Sequence, residues 1–357
     1  MSKQYDKNMI SATNDNENLV WFDVNDKDFD LYGTDRGQND ILTCRIPEEY
    51  AKDVNEGVYN MRSYAAGVRI RFASDSPLIA IRAEYGEGRV PTCCTVCGAY
   101  GFDLYKCNDD GTEVFRHQYR PPADFDYKIF DNDPYKAKDE GLVYYTLNFP
   151  FFTGVEKLQI GIFDGTKLER GKKYSNEKPV YFYGSSITHG AAASTPGYIY
   201  ENLIAQKYNM DYVNLGFSGN ARAEDTMCEY ISAKEMCMFV YDYDHNAPNP
   251  EYLEETHHKF YKRFRENNPH IPVVMISRPD FIHNYEVSVT RRDIIKASYQ
   301  KALDSGDKNV YFIDGETLMN PNDEVRCTIE GVHPNDVGFS RMADVIGKKI
   351  NEILKLR

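Results

Sequence analysis

The sequence predicts two folds in succession, an antiparallel β-sandwich over residues 1–176 and a parallel α/β domain over residues 177–357. Three observations carry this expectation. Between Gly67 and Phe163 short apolar runs recur with turn clusters between them and no helical periodicity, as in antiparallel sheets. Beyond Lys178 apolar strands alternate with helical patterns, which implies a parallel sheet covered on both faces. Residues 164–178, between the two, are charged and punctuated by glycine, with little to bury. A length of 357 residues, more than one core usually serves, agrees with two domains.

In the first part, residues up to Tyr59 give mixed signals around the single tryptophan, Trp21, and support no assignment. Val68, Ile70 and Phe72 then alternate with Arg69 and Arg71, a Ser-Asp-Ser-Pro turn follows at 74–77, and residues 78–85 are strand-like, so a β-hairpin is expected. Further strands are expected at 101–105, 114–119, 143–149 and 158–163. In the second part, strands are expected at 180–183, 212–215, 238–241, 272–276 and 310–313. Between them Ile199, Leu203 and Ile204 share one helix face, as do Leu253, His257, Phe260 and Phe264, and as do Ile294, Ile295, Tyr299 and Leu303. A last helix buries Phe339, Met342, Ile346, Ile350 and Ile353.

Composition excludes several functions. A hydrophobic content of 41% supports globular folding, while a formal net charge of -13 opposes binding to nucleic acid through phosphates. No apolar run is long enough to span a bilayer, and the first eight residues are polar with no apolar core behind them, so a cytoplasmic protein that uses no membrane is expected. Among the 8 cysteines, Cys93, Cys94 and Cys97 cluster, but no second pair at matching spacing completes a zinc site, and reduced thiols are expected. Asp242, Asp244 and His245 are not expected to share a cation, because adjacent side chains at a strand end point apart. Neither metal nor cofactor is implied; a homo-oligomer is compatible with the sequence.

Chemistry is expected where the apolar run at 180–183 breaks into Gly184-Ser185-Ser186-Ile187-Thr188-His189-Gly190. Such a break lets the backbone turn and present a hydroxyl at the carboxyl edge of a parallel sheet, where ligands bind. Ser186 is the candidate nucleophile. The stretch resembles the first block of the SGNH (GDSL-type) hydrolases, Gly-Asp-Ser-Ile-Thr, with Ser185 in place of the usual Asp. Later blocks follow in order: 214–220 resembles the second, 242–246 the third, and Glu330-Gly-Val-His333, where the family usually has Asp-x-x-His, the last. The segment Gly101-Phe-Asp-Leu-Tyr105 resembles the Gly-x-Asp-Leu-Tyr signature of the sandwich that precedes some of these hydrolases. The resemblance implies a flavodoxin-like three-layer α/β/α domain behind a jelly-roll-like sandwich.

It also implies roles. His333 would act as base, since a serine hydroxyl needs its proton removed during attack, and Glu330 would orient the imidazole. The N–H groups of Ser186 and Gly219, with the Asn246 amide, would form an oxyanion hole, each donor worth roughly 3 kcal/mol. Arg278, just past a strand end, is a candidate substrate contact, with an ion pair as the competing reading. The expected activity is hydrolysis of small acyl esters, acetyl foremost, of a carbohydrate or related small molecule. The alternatives are a thioesterase or lipase for longer chains, and a non-catalytic carbohydrate-binding protein, motivated by Ser185 and Glu330 standing where the family has acids.

Overall fold

A computed structural model describes residues 18–356 apart from 39, 123–124, 132–133, 283 and 320–324. The polar first eight residues lie outside the described ones. The N-terminal strands are β1 (Leu19–Asp23), β2 (Asp30–Tyr32), β3 (Arg69–Ser74), β4 (Leu78–Gly88), β5 (Phe102–Cys107), β6 (Glu113–Tyr119), β7 (Ile129–Asp131), β8 (Tyr135–Lys136), β9 (Val143–Asn148), β10 (Thr153–Phe163) and β11 (Leu168–Arg170). One sheet runs β1-β10-β4-β7, with β8 also on β4; the other runs β11-β3-β9-β5-β6, with β2 beside β3. Helices α1 (Glu48–Val54), α2 (Glu56–Met61) and α3 (Val96–Tyr100) interrupt the strand sequence.

The expected hairpin is not one. β3 pairs with β2, β9 and β11, whereas β4 pairs with β10, β7 and β8, so the turn at 74–77 carries the chain from one sheet to the other. Alternation identified both strands, but partners are chosen by what covers each face, and all six residues of β3 are buried. Ile70 and Phe72 enter the sandwich core, while Arg69 and Arg71 turn toward the C-terminal domain. Arg69 donates to the Tyr212 carbonyl at 3.1 Å and Arg71 to the Asn209 side chain at 2.9 Å.

The charged segment 164–178 also buries more than its composition suggests. β11 extends the second sheet, and the Tyr174 hydroxyl accepts from Arg69 Nε at 2.6 Å with the Arg71 guanidinium 3.5 Å from its ring centroid.

The C-terminal domain holds a parallel sheet of β12 (Val180–Gly184), β13 (Tyr212–Gly216), β14 (Met238–Asp242), β15 (Val273–Ile276) and β16 (Val310–Ile313). Its order is β13-β12-β14-β15-β16, the 2-1-3-4-5 arrangement of flavodoxin-like folds. The helices are α4 (Ser186–His189), α5 (Tyr200–Tyr208), α6 (Asp225–Ser232), α7 (Pro250–Asn267), α8 (Tyr285–Asp304), α9 (Glu316–Met319) and α10 (Asp336–Leu354). α5 packs on α10, and α6, α7 and α8 pack in succession, which right-handed crossovers place on the opposite face. The crossovers leave β12 in opposite directions, so the crevice at its carboxyl end is the topological switch point. A single apolar core runs through both domains, joining Phe151 and Phe152 of the sandwich to Ile187 and Ala191 beyond β12. None of the described helices is long and apolar enough to cross a membrane.

Candidate active site

Ser186 opens α4 directly after β12. A side chain on Gly184 would lie 2.4 Å from the Asp242 carbonyl and 2.0 Å from Thr188 Oγ1, so only glycine permits the turn. Ser185 is the N-cap, its hydroxyl accepting from Ile187 N at 3.2 Å. Serine and aspartate are both strong N-caps, which gives a physical account of Ser185 where the resemblance leads one to expect Asp. α4 spans four residues and stops at Gly190, whose φ of 101° belongs to the left-handed region.

The second half of the site comes from the loop before α10. Thr328 and Pro334 form an antiparallel bridge, Gly331 turns the chain at φ 101°, and Asn335 caps α10 by accepting from Gly338 N at 3.0 Å. This presents His333 to the serine, with Ser186 Oγ and His333 Nε2 2.8 Å apart. On the other side His333 Nδ1 meets Glu330 Oε1 at 2.6 Å, and the same oxygen accepts from the His333 backbone N–H at 3.0 Å. The extra methylene of Glu lets its carboxylate curl back over three residues to reach both groups. Partial burial pushes the Glu330 carboxyl up, but the hydrogen bonds from His333 prevail and hold it below the usual carboxylate range. It is therefore a carboxylate near neutral pH, able to stabilise an imidazolium.

Gly219, on the loop after β13, has φ 77°, and a side chain there would meet nothing within 4 Å, so its backbone faces open space. Phe217 N donates to the Gly184 carbonyl at 3.0 Å, and Asn246 Nδ2 donates to the Phe217 carbonyl at 3.0 Å. Gly219 and Asn246 are thus tied to the end of the strand that carries Ser186. Among the described residues neither the Ser186 nor the Gly219 N–H donates to a protein acceptor. Both are free to donate to an oxyanion.

Arg278 is occupied elsewhere. Its guanidinium meets Asp280 at 2.6 and 2.9 Å and His245 Nδ1 at 3.2 Å, and its side chain is only 12% exposed. Asp244, fully buried, accepts from Arg291 Nε at 2.6 Å and Arg278 N at 2.9 Å. Asp244 is therefore paired with Arg291 and Asp280 with Arg278, and no metal-binding group of His, Cys, Asp or Glu occurs among the described residues.

Sequence reasoning missed several residues that shape the site. His189 is fully buried, stacked on Phe152 at 4.3 Å; its Nε2 pairs with the Phe151 carbonyl at 2.7 Å and its Nδ1 accepts from Ser218 N at 3.4 Å. Burial holds it well below the ordinary imidazole range, so it is neutral and links the sandwich to the Gly219 loop. Arg45, also fully buried, donates to the Asn214 and Gly216 carbonyls at 2.9 and 3.1 Å. Cys93 and Cys94 lie on a sandwich loop at the site: Cys94 Sγ accepts from Ala192 N at 3.4 Å, and Cys93 lies within electrostatic reach of His333 and Glu330. All eight cysteines are free thiols.

The profile of the GDSL-like lipase/acylhydrolase family matches residues 177–351, and that of the GxDLY domain, the N-terminus of SGNH-hydrolase-type esterases, matches residues 19–168. This chain belongs to the SGNH (GDSL-type) hydrolases. No curated protein matches it. A GDSL-like lipase from Bacteroides ovatus shares 23% identity, with 95% of this chain and 98% of that chain covered, at a TM-score of 0.84. A salicylyl-acyltransferase from a tetracycline biosynthetic pathway shares 19% over 95% and 99% at 0.74. A family two carbohydrate esterase from Cellvibrio japonicus shares 12% over 95% and 98% at 0.60. At these identities the likeness is one of fold.

In this SGNH hydrolase the Gly-x-Asp-Leu-Tyr segment is a joint between domains. A side chain on Gly101 would lie 2.4 Å from the Cys97 carbonyl. Asp103, fully buried, accepts from Thr195 Oγ1 and Gly197 N, both at 2.6 Å, and Tyr105 packs so closely on Gly197 that a side chain there would come within 2.1 Å of its hydroxyl. The signature fastens the sandwich to the segment that follows the nucleophile helix.

Proposed function

We propose that the protein is a serine esterase that removes small acyl groups, acetyl foremost, from a carbohydrate or related small molecule through an acyl-enzyme. The observation that carries this reading is the continuous chain Ser186 Oγ–His333 Nε2–Glu330, at 2.8 and 2.6 Å. In the first step His333 takes the serine proton as Oγ attacks the carbonyl carbon, and Glu330 stabilises the imidazolium so formed. The Ser186 and Gly219 N–H groups and the second N–H of the Asn246 amide hold the oxyanion; His333 then returns the proton to the leaving alcohol. Water attacks the acyl-enzyme by the same route in reverse. The carbohydrate as substrate is supported by likeness of fold to family two carbohydrate esterases. Eight free thiols agree with a reducing, cytoplasmic setting.

Catalysis rather than binding alone is favoured because both departures from the family pattern have a physical account: Ser185 caps α4, and Glu330 reaches His333. A fluorophosphonate probe should label Ser186, and acetylated sugars and nitrophenyl acetate should be hydrolysed faster than nitrophenyl esters of longer acyl chains. Folded protein that takes no label would refute the reading; label with a preference for long chains would make it a lipase or thioesterase.

A further inference from the structure

Arg278, the arginine that sequence reasoning put forward for substrate, is neutralised by Asp280, yet two other arginines at the site are not. Arg222 is exposed on the loop that carries Gly219, and its Nη2 donates to the Gly219 carbonyl at 3.3 Å. The loop is firmly held: Tyr252 donates to the Arg222 carbonyl at 2.9 Å, Ala223 N donates to the Tyr183 hydroxyl at 2.9 Å, and Asn55 of the sandwich donates to the Asn220 carbonyl at 3.0 Å. The backbone is therefore fixed, and the exposed guanidinium it carries lies beside Gly219 of the proposed oxyanion hole.

Arg89 comes from the other domain. It follows β4, its backbone N donates to the Phe152 carbonyl at 3.0 Å, and its guanidinium stands 5.8 Å from the Phe152 ring. That ring stacks on His189, which bonds the Gly219 loop through Ser218. Arg89 is exposed and within electrostatic reach of both His189 and Cys94, while Cys93 next to it reaches His333. One arginine thus stands beside the oxyanion loop, and the other where the sandwich borders the nucleophile helix and the His333 loop.

Among the described residues no carboxylate lies within ion-pair distance of either guanidinium. In a chain with 55 acidic residues and a net charge of -13, two exposed guanidinium groups without an ion-pair partner, on segments that border the proposed acyl-transfer site, would attract an anionic ligand there. A guanidinium fork fits a carboxylate or phosphate better than it fits a sugar hydroxyl.

We propose that Arg89 and Arg222 select ester substrates bearing an anionic group, a carboxylate or a phosphate, near the scissile ester. This rests on the esterase reading and names its substrate class. The test compares kcat/KM for acetylated glucose, acetylated glucuronic acid and acetylated glucose 6-phosphate at low and high salt. The wild type should favour one or both anionic esters by roughly tenfold or more at low salt, and the advantage should shrink as salt rises. Which anionic ester leads tells carboxylate from phosphate. Arg89→Glu and Arg222→Glu should each lower the anionic-to-neutral ratio about tenfold, and Arg222→Lys should retain part of it. Equal kcat/KM on all three esters in the wild type, or variants that slow all three by one factor, would overturn the inference. Fluorophosphonate labelling of Ser186 in the same samples separates the two claims: label without anion preference removes only this one, and no label removes the esterase reading beneath it.

Discussion

The two halves of the proposed triad are held in opposite ways. Every residue from 184 to 190 is buried, and the nucleophile turn is fastened from beneath by β14, from the side by the Gly219 loop and from the sandwich by the Phe151–His189 bond. The His333 loop is a surface feature: Glu330 is 45% exposed on its side chain and His333 24%, and the loop is held by bonds within itself, among them Ile329 N to the His333 carbonyl at 2.9 Å, Gly331 N to Thr328 Oγ1 at 3.1 Å, Arg326 Nε to the Thr328 carbonyl at 2.9 Å and the two bonds to Glu330 Oε1. The attacking atom is therefore fixed by buried contacts, whereas the imidazole is oriented by an exposed carboxylate that would also take part in the proposed chemistry. Changes on the serine side should separate chemistry from fold, and changes on the histidine side should not.

The largest expected effect tests the first half of that contrast. Ser186→Ala should lower ester hydrolysis by roughly three or more powers of ten while leaving the melting temperature nearly unchanged, because the hydroxyl's partner is His333 and the core does not use it. Turnover within tenfold of wild type would show that another group attacks.

Next comes the carboxylate. Glu330→Gln should lower turnover by roughly two to three powers of ten, since the amide has no charge to stabilise the imidazolium. Glu330→Asp should also lose activity, by about tenfold, because the shorter side chain cannot serve both the ring and the backbone N–H of His333. Full activity in the Asp variant would break the comparison, by showing that the loop holds itself without the longer side chain.

The same contrast explains what could be read from the sequence. Ser186, Gly219, Asn246, Glu330 and His333 stand in short local motifs, and the strands that deliver them carry plain apolar runs, so both were legible. The pairing of β3, the burial of Arg69 and Arg71, and the role of Arg45 were not, because each depends on contacts far along the chain; Arg45 and Asn214 are 169 residues apart. Alternation marks a strand but does not name its neighbour, and a charge in a local pattern reads as solvated until a second domain covers it. Arg278 shows the converse, its neutralising Asp280 standing two residues away without any pattern to mark the pair.

The serine side should also register changes in the sandwich, through Asp103. Burial pushes its carboxyl up to about 7, and its Oδ1 has no hydrogen-bond partner among the described residues. The folded chain keeps this proton up to about pH 7, while the unfolded chain gives it up near pH 4. Its contribution to stability is therefore fully present below about pH 4, declines by about 1.4 kcal/mol per pH unit across the window, and is lost above about pH 7. Asp103→Asn cannot titrate and keeps an acceptor for Thr195 and Gly197, so it should melt roughly 5 °C above wild type at pH 8 and close to it at pH 4. An equal offset at both pH values would mean that Asp103 is ionised in the joint throughout.

The smallest effect concerns Ser185, the departure beside the nucleophile. Ser185→Ala removes the N-cap of α4 and should cost about 1 kcal/mol, with much less loss of activity than Ser186→Ala. Ser185→Asp restores the family's usual residue and keeps a capping acceptor, but Ser185 is fully buried and its N–H is bonded to the carbonyl of Asp242. Asp242 is itself buried, and burial together with the charge of Asp244 already pushes its carboxyl well above the ordinary range. A second carboxyl enclosed there gains from the helix N-terminus by about 1 kcal/mol and loses more through desolvation. The Asp variant should therefore melt below the Ala variant, most clearly above pH 7, with Ser186 still open to a fluorophosphonate label. Melting at or above wild type would show that the turn accommodates the acid, and that a serine here reflects no rebuilding of the surroundings.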